Sequence, residues 1–464
     1  MPIMRNQIRK QGKAALVVLV AVLLNTLFGG GGIGYPLVEL GLQIALAALA
    51  VAWVWTAQPR CLAQVSRSTL LAAGLVVLIP LLQLLPLPPS IWQNLPGREA
   101  ELRDLALVGL ERTWRPLSLV PDMTLASLLS MGSAALVLVM TGSLARSARS
   151  LCIGAIALVA LASLVVGAGQ IVGGDGNIFR MYQPRIDYLV GFQNNRNSQA
   201  DVLLIGMLCV AGVTRDLVLS GLLASRRRLV LSLVGVSSAV LALGVVLTGS
   251  RTGMGLIVPV LLLQAVLLRP WLNLGMGLGW RNLGVLSLCG LVAGAALVYA
   301  LRDNAAIGRA LGRFATQGEA RPEIWTDALF AIRTYLPWGA GMGTFLPIFI
   351  VHERLEIVSD MIVNRAHNDY LELLFEAGIP GIVALMAIAG MMLRGTIAGL
   401  RSPDRRVRGQ VFCAVSILLV LGGHSLLDYP LRSMSLAGIA AVCAAILLNP
   451  RGVVVTKDSH DNEA

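Results

Sequence analysis

The chain has 464 residues, of which 56% are hydrophobic and 13% charged, and its mean hydropathy is +0.76. A soluble domain carries about 25% charged residues, so this composition excludes a soluble globular protein and describes one built from repeated membrane spans. The formal charge of +12 would ordinarily point to nucleic acid, but the basic residues are scattered through short connections, where membrane topology and an anionic ligand explain them better.

A spanning helix needs about 20 apolar residues. Segments 14–28, 35–56, 69–87, 123–142, 150–172, 199–221, 229–248, 253–269, 282–301, 370–394, 410–427 and 433–449 meet or approach that length. They predict an all-α polytopic membrane protein of about twelve transmembrane helices. The first is short, and Arg5, Arg9, Lys10 and Lys13 precede it. This basic leader has no clear small-residue cleavage site and reads as an uncleaved signal anchor.

The positive-inside rule sets direction. Arg60, Arg67, Arg146, Arg149, Arg215, Arg226, Arg227, Arg228, Arg269, Arg281, Arg401, Arg405, Arg406 and Arg408 then fall in cytoplasmic connections. Both termini are expected in the cytoplasm, with segments 88–122, 173–198 and 302–368 on the opposite side. The expected division is helices one to nine over 1–301, a large outer loop over 302–368, helices ten to twelve over 369–449, and a tail over 450–464.

The outer segments carry Arg180, Arg185, Arg196, Arg251, Arg309, Arg313, Arg321, Arg333, Arg354, Arg365 and Arg432, whereas Lys10, Lys13 and Lys457 all fall inside. Arginine presents a planar fork that suits phosphate, where lysine is a point charge; arginine-rich composition is the plainer explanation. Within the large loop, residues 322–336 read as an amphipathic helix with Pro322 near its start and an apolar stripe of Trp325, Leu329, Ile332 and Leu336. It would lie in the interface or cap a cavity. Pro337, Gly339, Gly341 and Gly343 impose a loop after it. Glycine-rich stretches at 29–34 and 173–176 look like turns, not phosphate loops.

Cys61, Cys152, Cys209, Cys289, Cys413 and Cys443 lie mostly in apolar runs, and His352, His367, His424 and His460 are dispersed. No disulfide framework, metal site or cofactor is expected.

Three polar motifs stand just before apolar segments on the outer side: Gly191-Phe-Gln-Asn-Asn-Arg-Asn197, Thr248-Gly-Ser-Arg-Thr252 and Arg365-Ala-His-Asn-Asp-Tyr370. Arg196, Arg251 and His367 each precede a span. Helix N-termini offer unpaired N–H groups and a partial positive charge, which favour anions. Ser198, Thr252 and Asp369 are the expected caps, and Asp369 with Glu372 has capping-box spacing. Three such ends meeting in one cavity would hold a pyrophosphate. The plainer readings are interfacial anchoring for the arginines and a structural histidine near a helix cap. Secondary candidates are Asn195, Asn197, Arg321 and Glu323, with Asp201 positioned to orient Arg196. His424 and Asp428, followed by Arg432, would share one helix face as a pair.

The 191–197 motif, the Ser250-Arg251 pair and His367-Asn-Asp-Tyr-Leu-Glu-Leu-Leu-Phe-Glu-Ala-Gly-Ile-Pro-Gly381 resemble the O-antigen ligase and O-antigen polymerase superfamily. The likeness covers about residues 190–395, with Arg321-Pro-Glu-Ile-Trp325 and Pro337-Trp-Gly-Ala-Gly341 similar to the family's large outer loop. The resemblance implies a GT-C-like, metal-independent glycosyltransferase in a bacterial inner membrane, with its active site facing the periplasm. It implies transfer of a glycan from undecaprenyl pyrophosphate to an acceptor sugar hydroxyl. It assigns function to Arg196, Arg251 and His367. Expected partners are the lipid-linked donor, the glycan acceptor, membrane lipid, a flippase and a chain-length regulator. The stretch 424–432 and Trp114-Arg115-Pro116-Leu117-Ser118 favour a polymerase of surface or exopolysaccharide repeat units. The rivals are a ligase that moves polymer onto lipid A core and, from another class, an anion transporter. A carrier often shows two similar halves, and no internal repeat is visible here.

Overall fold

The structure is a computed structural model that describes residues 2–57, 63–172, 180–182, 188–221, 226–268, 308, 312, 321–356, 358 and 362–453. The expected span 282–301 lies outside these residues, as do Arg60, Arg185, Arg269, Arg281, Arg309, Arg313, Cys61, Cys289, Lys457, His460 and the 173–176 glycines.

The helices are α1 (Pro2–Phe28), α2 (Pro36–Thr56), α3 (Arg67–Leu84), α4 (Pro89–Trp92), α5 (Glu99–Leu107), α6 (Pro121–Gly142), α7 (Arg146–Val172) and α8 (Arg196–Leu219). They continue with α9 (Arg227–Leu247), α10 (Arg251–Leu268), α11 (Arg321–Tyr335), α12 (Phe345–His352), α13 (Asp369–Leu400), α14 (Arg405–His424) and α15 (Met434–Leu448). The only strands among the described residues are a two-residue antiparallel pair, β1 (Pro86–Leu87) and β2 (Arg115–Pro116). Among the described residues, nine helices are long and apolar enough to cross a membrane: α2, α3, α6 to α10, α13 and α14. Gly12–Phe28 of α1 and all of α15 are shorter apolar helices. The chain is an all-α polytopic membrane protein.

Helix α8 forms the centre. Residues 198–209 of it are buried on every side, and from Val202 to Cys209 the run is apolar all round, as expected of a buried helix. Small residues let its neighbours approach, the usual basis of helix packing in lipid. A Cβ on Gly206 would stand 2.6 Å from Ala160 of α7, one on Gly253 of α10 would stand 2.6 Å from Ala200, and one on Gly212 would stand 2.9 Å from Cys413 of α14. At the other end of the bundle the buried Arg149 donates to the carbonyls of Thr141, Gly142 and Asn449 at 3.3, 2.8 and 2.6 Å. One guanidinium thus ties the carbonyl-rich C-terminal ends of α6 and α15, where a cation is favoured.

The 337–343 loop is anchored through a break in α13. Gly378 has φ +58, and a Cβ there would press on the Trp338 backbone at 2.6 Å. The break frees carbonyls. Phe375 O accepts from Ala340 N at 3.0 Å, and Glu376 O accepts from Gly341 N and Gln83 Nε2, each at 2.9 Å. Ile379 N donates to Pro337 O at 2.9 Å. The 337–343 loop therefore completes the hydrogen bonding that α13 gives up.

The amphipathic helix expected over 322–336 is present as α11, but its buried face is Ile324, Asp327, Ala328, Ala331, Ile332 and Tyr335. Leu329 is exposed, and Trp325 and Leu336 are only partly buried. The buried stripe, which includes Ala328 and Ala331, is thus rotated by about one residue, or 100° of a 3.6-residue turn, from the expected one.

Candidate active site

The first motif begins with a constrained glycine. Gly191 has φ +53, and any Cβ would collide with Ser163. Its N–H and C=O both pair with the Gln170 amide at 2.9 Å. Asn195 then caps α8 by accepting from Asn197 N at 2.8 Å. Ser198, the expected cap, is buried inside the helix. The other two expected caps are displaced the same way. Ser250, not Thr252, accepts from Gly253 N at 3.1 Å. Asn368, not Asp369, accepts from Tyr370 N and Leu371 N, each at 3.0 Å. In each case the working cap lies outside the helix, where its oxygen reaches the second or third N–H. Residues already within the helix cannot do so.

Arg196 and Arg251 are the first residues of α8 and α10, two helices in direct contact. Tyr188 connects the motifs that carry them. The Arg196 guanidinium lies 4.7 Å from the centre of the Tyr188 ring. The edge of that ring fills the space at Gly249, where φ is +64 and a Cβ would stand 2.6 Å from Cε1.

His367 occupies the left-handed region with φ +52, the one described non-glycine residue to do so. Few L-residues rest there without support, and the support is visible. Ala366 N donates to Glu372 Oε2 at 3.0 Å, and Ala366 O accepts from the Trp325 indole at 2.8 Å. Asn368 Nδ2 donates to Leu426 O at 3.1 Å, and Asp369 N donates to Ser425 O at 3.0 Å. The clamp aims the imidazole at Asp428, with Nδ1 2.9 Å from Oδ1. Burial alone would push the Asp428 carboxyl up. The hydrogen bond and charge of His367, with help from His424 and Asn197, outweigh it and hold the carboxyl below its ordinary range.

The same elements tie His367 to the first motif. Asn197, in the first turn of α8, reaches Asp428. Asn195 Nδ2 donates to the Tyr429 hydroxyl at 3.2 Å, and the Tyr429 ring lies 5.0 Å from that of His367. Burial, chiefly, and the charge of Asp428 push that phenol up to about 12, so it stays protonated.

Two expected pairings are replaced. His424 does not share a helix face with Asp428, because α14 ends at His424 and Asp428 lies in the turn beyond. His424 Nδ1 instead stands 2.7 Å from Asp201 Oδ1. Asp201 is thus engaged by His424 and not by Arg196. Asp369 and Arg432 belong to a buried ionic cluster on α13. The Arg432 guanidinium lies 2.7 Å from Glu376, 3.4 Å from Glu372 and 3.7 Å from Asp369, and Arg365 reaches Glu372 at 2.6 Å. Arg321 opens α11 within electrostatic range of His424, while Glu323 is exposed on the same turn. Tyr188, Tyr429 and Glu376 were not singled out in the sequence, where Trp325 entered only as part of an apolar stripe and Glu372 only as a capping-box partner; an aromatic or acidic residue inside or next to a motif was the only available signal.

Chemically, the arrangement places an imidazole with one nitrogen held by a buried carboxylate beside a helix N-terminus that carries an arginine. It suits proton abstraction next to a bound anion. No curated protein matches the chain. The O-antigen ligase family model matches residues 236–386, a stretch that contains Arg251, Arg321, His367 and the broken start of α13, and this match supports the resemblance to the O-antigen ligase and O-antigen polymerase superfamily.

Proposed function

We propose that this membrane enzyme transfers a glycan from undecaprenyl pyrophosphate to an acceptor sugar hydroxyl on the periplasmic face, polymerising repeat units of a surface or exopolysaccharide. The observation that carries the reading is the His367–Asp428 pair, set beside the N-terminus of α8 with Arg196 on it. His367 Nδ1 is occupied by Asp428, which leaves Nε2 to take the acceptor proton. The acceptor oxygen then bonds to the anomeric carbon as the carbon–oxygen bond to pyrophosphate breaks. The electron pair leaves with the pyrophosphate, and a single displacement inverts the anomeric centre. Arg196 and Arg251 bind the leaving group and stabilise its growing charge, an effect for which one lost donor costs roughly 10²–10³ in rate. No metal is assigned a role.

The test is transfer from a purified lipid-linked donor by the protein in detergent, without a sealed membrane. A transporter gives no transfer in that assay. His367→Ala at the wild-type rate would reject the base. Arg251→Lys keeps the charge and loses the fork, so it is expected to lose most activity; full activity would leave Arg251 an anchor. The family description favours a ligase as the second reading. Polysaccharide from a deletion strain separates the two: single repeat units on lipid A core mean a lost polymerase, and full polymer stranded on its carrier means a lost ligase.

A further inference from the structure

Beneath the His367–Asp428 pair lies a second histidine–carboxylate pair, deeper in the bundle. His424 ends α14, Asp201 stands in the second turn of α8, and their side chains are 0% and 1% exposed. Nδ1 of one lies 2.7 Å from Oδ1 of the other. Their far atoms, His424 Nε2 and Asp201 Oδ2, are buried without a hydrogen-bond partner among the described residues. Burial penalises such atoms, and two apolar side chains would fill the space without that penalty. Apolar contacts are non-directional, whereas a hydrogen-bonded pair is made at one distance and one orientation, a use of buried polar groups attested in some proteins.

Both ends of this contact lead to the site. Asp201 is five residues along α8 from Arg196 and four from Asn197, the residue that reaches Asp428. The turn carrying Asp428 hangs from His424 itself, since the N–H groups of Leu427 and Asp428 both donate to His424 O at 2.9 Å. Displacing His424 along α8 therefore moves Asp428 against Asn197, and the base against Arg196.

We propose that His424 and Asp201 are positioning residues. Their Nδ1–carboxylate contact is a strut that sets the spacing between the pyrophosphate-binding end of α8 and the turn that orients the general base. The inference rests on the transfer reaction proposed above. It uses the nitrogen on Cγ of the imidazole and not the one further out, and this makes it testable by amide replacement. His424→Asn puts an amide N–H at the place of Nδ1; His424→Gln puts one at the place of Nε2.

The experiment measures glycan transfer by the purified full-length protein in detergent. A misplacement of about 1 Å can cost about 10²-fold, so His424→Gln is expected to lower kcat by about that factor, and His424→Asn by less than about ten-fold. A space-filling role predicts the opposite order, because glutamine is nearer to histidine in volume; that order, or wild-type rates for both, overturns the proposal. On an Arg196→Gln background, His424→Gln should add little further loss, since residues that act as one unit are not additive. A fully multiplicative loss means that the pair does not act through α8. If both variants aggregate on size exclusion, the pair is a folding determinant and the positioning role is wrong. His367→Ala, run alongside, keeps the two ideas apart: an active His367→Ala refutes the proposed reaction, whereas an inactive one with an unaffected His424→Gln refutes only the strut.

Discussion

Replacing Asp428 with asparagine tests the central pair most directly. The side chain is 3% exposed and lies 2.9 Å from His367 Nδ1. Asparagine keeps the shape and removes the charge, so packing changes little. In the proposed reaction His367 becomes a cation on taking the acceptor proton, and the Asp428 carboxylate would stabilise that cation across a charge-assisted hydrogen bond. Such a bond contributes about 1.5–3 kcal/mol, which converts to roughly 10- to 160-fold in rate. The carboxylate also fixes which ring nitrogen carries the proton, so the loss should fall near the upper end. Because the carboxylate acts on the charge that the imidazole gains in the proposed reaction, kcat should drop while KM for the donor stays within about two-fold of wild type. The assay is the initial rate of transfer from a purified lipid-linked donor over a range of donor concentrations. Wild-type kcat in Asp428→Asn, together with an inactive His367→Ala, would refute the reasoning and leave Asp428 a structural partner. A change confined to KM would refute it as well.

Three further outcomes follow from the geometry. The Asp428 carboxyl is held below its ordinary range in the fold, so its stabilisation is present above about pH 4, the ordinary aspartate value, and is lost as pH falls through the lower folded value. The difference in thermal midpoint between wild type and Asp428→Asn should therefore narrow on acidification below pH ~4; a constant difference would contradict the assignment. Arg432→Met leaves Asp369, Glu372 and Glu376 facing one another with Arg365 alone beside them, and breaking a buried pair of this kind costs about 3–5 kcal/mol, readable as a large fall in the unfolding midpoint in detergent. Trp325→Phe removes the donor to Ala366 O next to His367 (2.8 Å in the fold), for a loss of about 1 kcal/mol or roughly five-fold in kcat, with expression unchanged; equal loss in His367-independent stability alone would mean that the clamp does not aim the imidazole.

Much of this architecture was legible in the residue order because it rests on local free energies. Apolar runs of spanning length can only satisfy their backbone groups as helices in lipid, and every expected span within the described residues has its helix. The motif positions were legible for a related reason: polar residues beside apolar runs mark helix ends. What failed was one step finer. Ser198, Thr252 and Asp369 were one to three residues too far along, because the choice among neighbouring polar side chains depends on the backbone angles of the cap, which composition does not encode. The α11 stripe was rotated by one residue for a similar reason. Trp325 and Leu329 are larger apolar residues than Ala328 and Ala331, yet the alanines are the fully buried ones, a choice that packing and not hydrophobicity makes.

The order of amino acids by itself therefore determined the class of molecule, the ends of its helices to within a few residues and the candidate residues for the proposed chemistry. Partnership came only from the tertiary structure. Asp428 lies 61 residues from His367, and Asp201 lies 223 from His424, and both pairs join elements that meet only when α8, α13 and α14 pack together. Gly212 lets α8 and α14 approach, since a Cβ there would stand 2.9 Å from Cys413, and Gly206 and Gly253 do the same for α7 and α10 against α8. A hydrophobic run specifies that a helix forms, but which carboxylate each histidine meets is decided only when the helices pack.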